Sequence, residues 1–95
     1  MIEEIHIEQV LQGIDRVLPV IKRERERQIS KWGVQEHDPY TWFPILAEEV
    51  GEVGKELAEA AIEKRPIDAQ KYLEELSHTA AVAAAAMQCY DEGEA

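Results

Sequence analysis

The fold of this chain is decided by one stretch, Ile45-Leu46-Ala47-Glu48-Glu49-Val50-Gly51-Glu52-Val53-Gly54-Lys55-Glu56-Leu57. Its large apolar residues recur at the spacing of a helix, namely Leu46, Val50, Val53 and Leu57. One face of this segment is therefore predicted to pack against another helix. Glu49 and Glu52 lie three residues apart, which places their carboxylates one turn apart on the same side. The stretch predicts an amphipathic helix with a candidate cation site.

A second segment, Tyr72-Leu73-Glu74-Glu75-Leu76-Ser77-His78-Thr79-Ala80, repeats this arrangement with Glu75 and His78. If the two helices pack antiparallel, both polar pairs can face one pocket. Three carboxylates in one pocket repel one another unless a metal ion neutralises them. Glutamates also occur simply as helix formers on solvated faces, so the predicted site depends on the pairing of the two helices.

The composition favours a single, acidic, all-α domain over residues 1–95, because helix formers dominate. The chain has 20 Asp+Glu against 10 Lys+Arg, a net charge of −10, which argues against nucleic acid or an anionic membrane as partner. The alanine-rich run over 79–87 is shorter than the roughly 20 apolar residues that a spanning helix needs. One cysteine, Cys89, and the lack of a signal-like start favour a cytoplasmic location.

Pro19 is expected to divide the first helical region. A proline inside a helix loses a backbone hydrogen bond and clashes with the preceding turn, so a kink or break is predicted near Leu18. Residues 1–18 then form an N-terminal helical extension. The further expected elements are a charged helix over 20–30, a helix capped by Thr41 and ending near Lys64, a last helix capped by Asp68 and ending near Tyr90, and a frayed tail over 91–95.

Small residues indicate where helices are expected to approach closely. Gly51 and Gly54 cost roughly 1 kcal/mol each relative to alanine inside a helix, and close helix packing is the simplest reason for them. The alanine-rich run offers a wide face of small side chains, which is expected to form a subunit interface. The prediction is a helical bundle completed by oligomerisation, as a homodimer or a homotetramer.

The segment that precedes the predicted helix with Glu49 and Glu52 carries groups suited to binding a nucleotide. Trp32, Gln35 and His37 can stack on and hydrogen-bond a heterocyclic base. The alternative interpretation is that Trp32 fills a core and His37 lies on the surface. A basic cluster precedes them, composed of Lys22, Arg23, Arg25 and Arg27. This cluster is either a solvated face balanced by glutamates or a complement that binds phosphate oxygens opposite a metal ion.

Four pieces of the chain together resemble a known family: Glu24-Arg25-Glu26-Arg27-Gln28, Lys31-Trp32-Gly33 with His37 following, Glu48-Glu49-Val50-Gly51-Glu52 as E-E-x-x-E, and Glu75-Leu76-Ser77-His78 near E-x-x-D. Over roughly residues 20–87 the chain resembles the MazG-like, all-α nucleoside triphosphate pyrophosphohydrolases. The resemblance implies hydrolysis of a (deoxy)nucleoside triphosphate to monophosphate and pyrophosphate with Mg²⁺, or alternatively Mn²⁺. Nucleotide-pool cleaning or housekeeping is the implied role.

The resemblance also implies which residues hold the metal ion. Glu49 and Glu52 are expected to bind it together with Glu75, and Glu48 is expected to orient the attacking water. The glutamates of the first motif are thus the expected catalytic residues. His78 stands where the family usually has aspartate, and imidazole suits manganese, iron or zinc better than Mg²⁺. His78 is therefore a metal ligand with altered preference, a hydrogen-bond partner of metal-bound water, or a mark of lost activity.

Substrate contacts follow from the same resemblance. Trp32 and His37 match positions that look like base or substrate contacts in relatives. Arg23 and Lys31 are the candidates for binding phosphate.

Two other functions are compatible with these residues. Ferritin-like di-iron proteins use E-x-x-H on a helix, and a dimer would present two copies of Glu75-x-x-His78 with Glu49 or Glu52 opposite. The arginine run and the Trp32 loop have no role in that scheme. The remaining alternative is a catalytically silent helical module that binds nucleotides or another protein, and His78 alone favours it.

Overall fold

The computed structural model describes residues 4–91 and contains three helices in that range. These are α1 (Glu4–Trp32), α2 (Pro39–Glu63) and α3 (Ala69–Asp91). No strand occurs among the described residues, so the all-α prediction is confirmed. Residues 1–3 of the expected extension and 92–95 of the tail expected to fray lie outside the described residues, while Asp91 belongs to α3.

α1 continues through Pro19 without interruption. The break proposed as one outcome near Leu18 therefore does not occur, and no separate helix begins at residue 20. Proline cannot donate to the carbonyl of Asp15 four residues earlier, but its fixed φ is close to the helical value. Asp15 and Leu18 are exposed, so water can satisfy the carbonyl that is left without a backbone donor.

The start of α2 differs from the prediction by a few residues. Asp38, not Thr41, is the N-cap, because the Asp38 side chain accepts a hydrogen bond of 2.9 Å from the Thr41 backbone N–H. Pro39 then occupies the first helical position, where no N–H is required. The predicted cap of α3 is found in the structure, since Asp68 Oδ1 accepts from the Lys71 N–H at 3.1 Å.

α3 is the helix against which the other two pack. The thiol of Cys89, near the end of α3, lies 3.3 Å from the His37 carbonyl oxygen, to which it donates. The end of α1, the start of α2 and the end of α3 therefore meet at one end of the molecule. α2 runs antiparallel to α3, and α1 runs parallel to it. α1 and α2 do not pack against each other.

The core consists of Trp42 from α2 and Val82, Ala85 and Cys89 from α3. Ala81 is completely buried beside them. Small side chains on α3 let both neighbouring helices approach it closely. The alanine-rich run thus already has a packing role within one chain, and its expected role as a subunit interface stays a prediction.

Gly51 and Gly54 do not serve the packing role expected of them within this chain. Both are exposed, and an added Cβ at either position would have no neighbour within 4 Å. The prediction of close helix packing at these glycines is therefore wrong for the single chain. Among the described residues, no helix is both long and apolar enough to cross a membrane.

Candidate metal centre and adjoining cleft

Three of the predicted metal-binding residues converge between α2 and α3. Glu49, Glu75 and His78 each offer a ligand atom, and these atoms all lie within 4.8 Å of one another. Nδ1 of His78 is 3.7 Å from Glu75 Oε2 and 4.0 Å from Glu49 Oε2. Because α2 and α3 are antiparallel, Glu49 comes to lie opposite the Glu75 and His78 pair.

α1 supplies a further carboxylate to this group. Nε2 of His78 is 3.6 Å from Glu24 Oε1, so the two ring nitrogens face carboxylates on different helices. A histidine that binds a metal through one nitrogen usually directs the other toward a carboxylate or a carbonyl. Gln28 Nε2 donates to Glu24 at 3.1 Å and to the His78 carbonyl at 3.5 Å, which joins α1 to α3 at this point.

Glu24 is held in its ionised form by Arg27. The guanidinium donates from Nε to Oε1 of Glu24 and from Nη2 to Oε2, both at 2.8 Å. This pair of hydrogen bonds lowers the pKa of Glu24, against the opposing effect of burial, and the nearby His78 side chain lowers it further. Glu24 is therefore a buried anion with a fixed position.

Glu49 has the opposite electrostatic environment. Burial raises its pKa most strongly, His78 opposes this, and the neighbouring carboxylates of Glu75, Glu48 and Glu52 raise it further. The folded protein therefore holds this carboxylate where its charge is unfavourable. A divalent cation at this position would offset both the desolvation and the repulsion.

The side chains present fit a divalent ion. Lys71 Nζ lies 3.4 Å from Glu75 Oε1, which leaves Glu75 Oε2 facing His78. Ligands at about 2.1 Å from one ion lie roughly 3 to 3.5 Å apart when adjacent. The separations of 3.7 and 4.0 Å at His78 would therefore shorten by about 0.2 to 1 Å on ion binding. Two carboxylates and one imidazole form a donor set that suits Mn²⁺ or Fe²⁺ better than Mg²⁺.

Glu52 is not part of this group of ligand atoms. It is exposed on α2, because a step of three residues along a helix turns the side chain about 60° away from Glu49. Its charge still reaches Glu49, whose pKa it helps to raise. The expected role of Glu52 as a metal ligand and catalytic residue stays a prediction.

A cleft of about 290 Å³ opens between α1 and α2 next to the carboxylates. Its polar and aromatic lining residues are Arg25, Gln28, Trp32, Gln35, Trp42, Glu48 and Glu49. Nε of Arg25 and Nε1 of Trp42 are buried, and neither has a hydrogen-bond acceptor among the described residues. Buried donors without acceptors are costly, and neither of these two atoms is accessible from the cleft in this conformation.

The other predicted substrate contacts differ in their distance from the cleft. Trp32 lines it and is 55% exposed, and Lys31 places its ammonium 4.7 Å from the Trp32 ring centroid. His37 does not line the cleft and instead packs edge-on against Trp42, with ring centroids 4.9 Å apart. Arg23 is exposed on α1 and lies outside the cleft.

Sequence reasoning gave no site role to Glu24, Gln28 or Trp42, whereas Arg25 belongs to the basic cluster considered for phosphate binding. Glu24 and Gln28 are four residues apart and therefore share one face of α1. That spacing was a usable signal, but a helix rich in charge offers no apolar periodicity to show which face is buried. Trp42 precedes the acidic motif by two helical turns and signals only a core residue.

No protein-family model matches this chain, and neither a curated protein nor a solved structure matches it. The functional assignment therefore depends on the geometry of the metal centre and the cleft.

Proposed function

We propose that this protein is a metal-dependent nucleoside triphosphate pyrophosphohydrolase, which cleaves a (deoxy)nucleoside triphosphate to the monophosphate and pyrophosphate. One observation carries the proposal: Glu49, Glu75 and His78 converge beside a cleft lined by the side chains of Arg25 and Trp32. A triphosphate supplies both complements, because it binds divalent ions and is rich in acceptor oxygens. Removal of unwanted nucleotides is the corresponding cellular role.

The ligand atoms of Glu49, Glu75 and His78 would hold the ion. A divalent ion in such a site neutralises phosphate charge and lowers the pKa of bound water. Glu48 lines the cleft next to Glu49, where its carboxylate is available to accept a proton from an attacking water. Nε2 of His78 faces Glu24 at 3.6 Å, and Nδ1 faces Glu75 at 3.7 Å, where it would be available to the ion.

The cleft accounts for the nucleoside part of the substrate. Trp32 offers an exposed aromatic face on which a base can stack. Arg25 lines the cleft, and its guanidinium supplies positive charge for phosphate oxygens. Lys31 and Arg27 lie over the Trp32 ring, at 4.7 Å and 5.9 Å from its centroid, although neither lines the cleft and Arg27 is paired with Glu24.

The presence of His78 in the ligand group favours Mn²⁺ as the activating ion, with Mg²⁺ as the alternative. Because this donor set also suits iron, a ferritin-like di-iron protein is the class that competes with the pyrophosphohydrolase. A di-iron centre of the ferritin type needs two Glu-x-x-His motifs, and the described chain supplies one at this site, Glu75 to His78. The arginines and tryptophans around the cleft have no function in that scheme.

The test is pyrophosphate release from a panel of standard and damaged nucleoside triphosphates, with Mg²⁺ and with Mn²⁺. Glu49→Gln and Glu75→Gln are each expected to reduce the rate by at least about 100-fold, a typical cost of disrupting a catalytic metal site. Glu59→Gln, an exposed glutamate on the same helix as Glu49, is the matched control and should retain the wild-type rate.

Three outcomes contradict the proposal. Full activity in both site variants would separate the reaction from the carboxylates. Oxidation of Fe²⁺ with turnover, without nucleotide binding, would favour the di-iron class. Hydrolysis that appears only in His78→Asp would identify the natural chain as a silent nucleotide-binding module.

A further inference from the structure

The first half of α1 carries an apolar stripe that no other described part of the chain covers. Its residues are Ile7, Val10, Leu11, Ile14, Val17 and Leu18, which are between 43% and 56% exposed. Their pattern repeats every seven residues, as Ile7, Val10 and Leu11 are followed by Ile14, Val17 and Leu18. This is the pattern of a helix face that packs against another helix, because such helices gain most of their stability by burying that face.

The chain itself is too short at this end to cover the stripe. α1 and α3 run in the same direction, and Glu24 lies level with His78 at 3.6 Å. α3 begins at Ala69, about 14 Å before His78, whereas Ile7 lies about 26 Å before Glu24 along α1. Ile7 therefore lies about 12 Å beyond the start of α3 if the helices stay aligned.

The surface area of the chain indicates how much of it a partner would cover. The accessible surface is 7433 Å², whereas a globular monomer of 10.8 kDa exposes about 5,500 Å². The excess of about 1,900 Å² exceeds the roughly 800 Å² that each partner buries in a standard interface. The radius of gyration, 15.9 Å, likewise exceeds the value of about 12.4 Å for a compact domain of this length.

We infer that a second copy of this chain covers the stripe, with the first halves of the two α1 helices packed against each other about a two-fold axis. The same face of α1 already packs on α3 further along, where Glu24 and Gln28 are buried. The interface would therefore continue an existing packed face of the helix.

The charge distribution supports a second copy as the occupant. Two copies of a chain with net charge −10 repel each other over most of their surface. Between residues 6 and 18 the charged side chains are Glu8, Asp15 and Arg16, which gives this segment a net charge of only −1. The stripe is thus the part of the surface where apolar area is large and repulsion between copies is small. Identical stripes also have identical spacing, as a two-fold interface requires.

A different apolar surface lies at the opposite end of the molecule. It is an open groove of about 850 Å³ lined by residues that include Phe43, Leu46, Met87 and Tyr90. Association through that groove would leave the α1 stripe exposed, so variants on the two surfaces distinguish the two modes. The inference concerns assembly and does not depend on the proposed catalytic activity.

The test is the molar mass of the full chain by light scattering during size exclusion and by sedimentation. The wild type is expected to have twice the mass of 10.8 kDa. Ile14→Glu places a charge in the centre of the stripe and should raise the dimer dissociation constant at least about 100-fold. Gln12→Glu adds the same charge on the opposite side of α1 and should leave the dimer intact. Circular dichroism shows whether each variant remains helical.

Three results would overturn the inference. The first is a monomeric wild type at about 100 μM, a concentration well above a micromolar dissociation constant. The second is a dimer unchanged by Ile14→Glu, and the third is a dimer that Phe43→Glu dissociates and Ile14→Glu does not. If Ile14→Glu loses its helical signal, Ile14→Ala replaces it as the test. That variant removes apolar area without adding charge and should weaken the dimer at least about tenfold, and an unchanged dissociation constant refutes the stripe as the interface.

Discussion

Replacing Glu49 with glutamine is expected to stabilise the metal-free protein while removing its response to metal ions. Burial and the neighbouring carboxylates raise the pKa of Glu49 in the folded state. A carboxyl group with a raised pKa binds its proton more tightly in the folded than in the unfolded chain. At pH 7 the ionised Glu49 side chain therefore lowers the free energy of unfolding. This cost is relieved as the pH falls through the raised pKa and the carboxylate takes up a proton.

The size of the effect follows from the partial exposure of the side chain. Glu49 is 29% exposed. Solvent screening therefore limits the gain in unfolding free energy at pH 7 to on the order of 1 kcal/mol, a size common when an unfavourable functional residue is replaced. For a domain of this length, such a gain raises the melting temperature by about 4–8 °C.

The assay is thermal unfolding followed by circular dichroism at one fixed protein concentration, first in EDTA and then with Mn²⁺. Ion binding at 100 times its dissociation constant adds about 2.7 kcal/mol to wild-type stability and should add almost nothing to Glu49→Gln. Glu59→Gln controls for the loss of one charge from α2 and should respond to Mn²⁺ like the wild type. A variant that melts below the wild type in EDTA, or that gains the same stability from Mn²⁺, would refute the reasoning.

Three further perturbations test separate parts of the structure. Glu24→Gln should lower the free energy of unfolding, measured with denaturant at pH 7, by about 1 kcal/mol. Because Arg27 lowers the pKa of Glu24, the difference from wild type should disappear as the pH falls through that lowered pKa. A difference that stays constant in acid would contradict the ion pair. Gly51→Ala and Gly54→Ala should each stabilise the chain by about 0.5–1 kcal/mol, since their added Cβ meets no neighbour; destabilisation in chemical unfolding would show that another helix covers them. His78→Asp should lower the ratio of Mn²⁺ to Mg²⁺ affinity at least about tenfold in titration calorimetry, and an unchanged ratio would exclude this imidazole as a ligand.

Helix type and approximate limits were predictable because apolar periodicity and capping residues act locally. Asp68 caps α3 as its position before the last helical pattern indicates. Local rules failed at Pro19, because they weigh the lost hydrogen bond but not the exposed position where water replaces it. They also placed the cap of α2 at Thr41 instead of Asp38, since two prolines in this region compete for the first turn.

The candidate site was predictable only in the part that antiparallel helices define. Their spacing along the helices predicts that three residues converge, because it places each on a packed face: Glu49, Glu75 and His78. Glu24 could not, since its burial depends on how the charged half of α1 lies across α3. Glu52 shows the reverse limit, because equal spacing along a helix does not decide which of two glutamates faces the neighbour.

The two tryptophans of the chain stand on the walls of the same cleft, one largely exposed and one almost fully buried, at 55% and 7% exposure. Their indole rings therefore form a built-in optical probe. A ligand that enters the cleft must change the surroundings of both rings at once, so intrinsic fluorescence quenching and a shift in the emission maximum can report occupancy. Because that readout needs neither a label nor turnover, it registers binding even by a nucleotide that the protein does not hydrolyse.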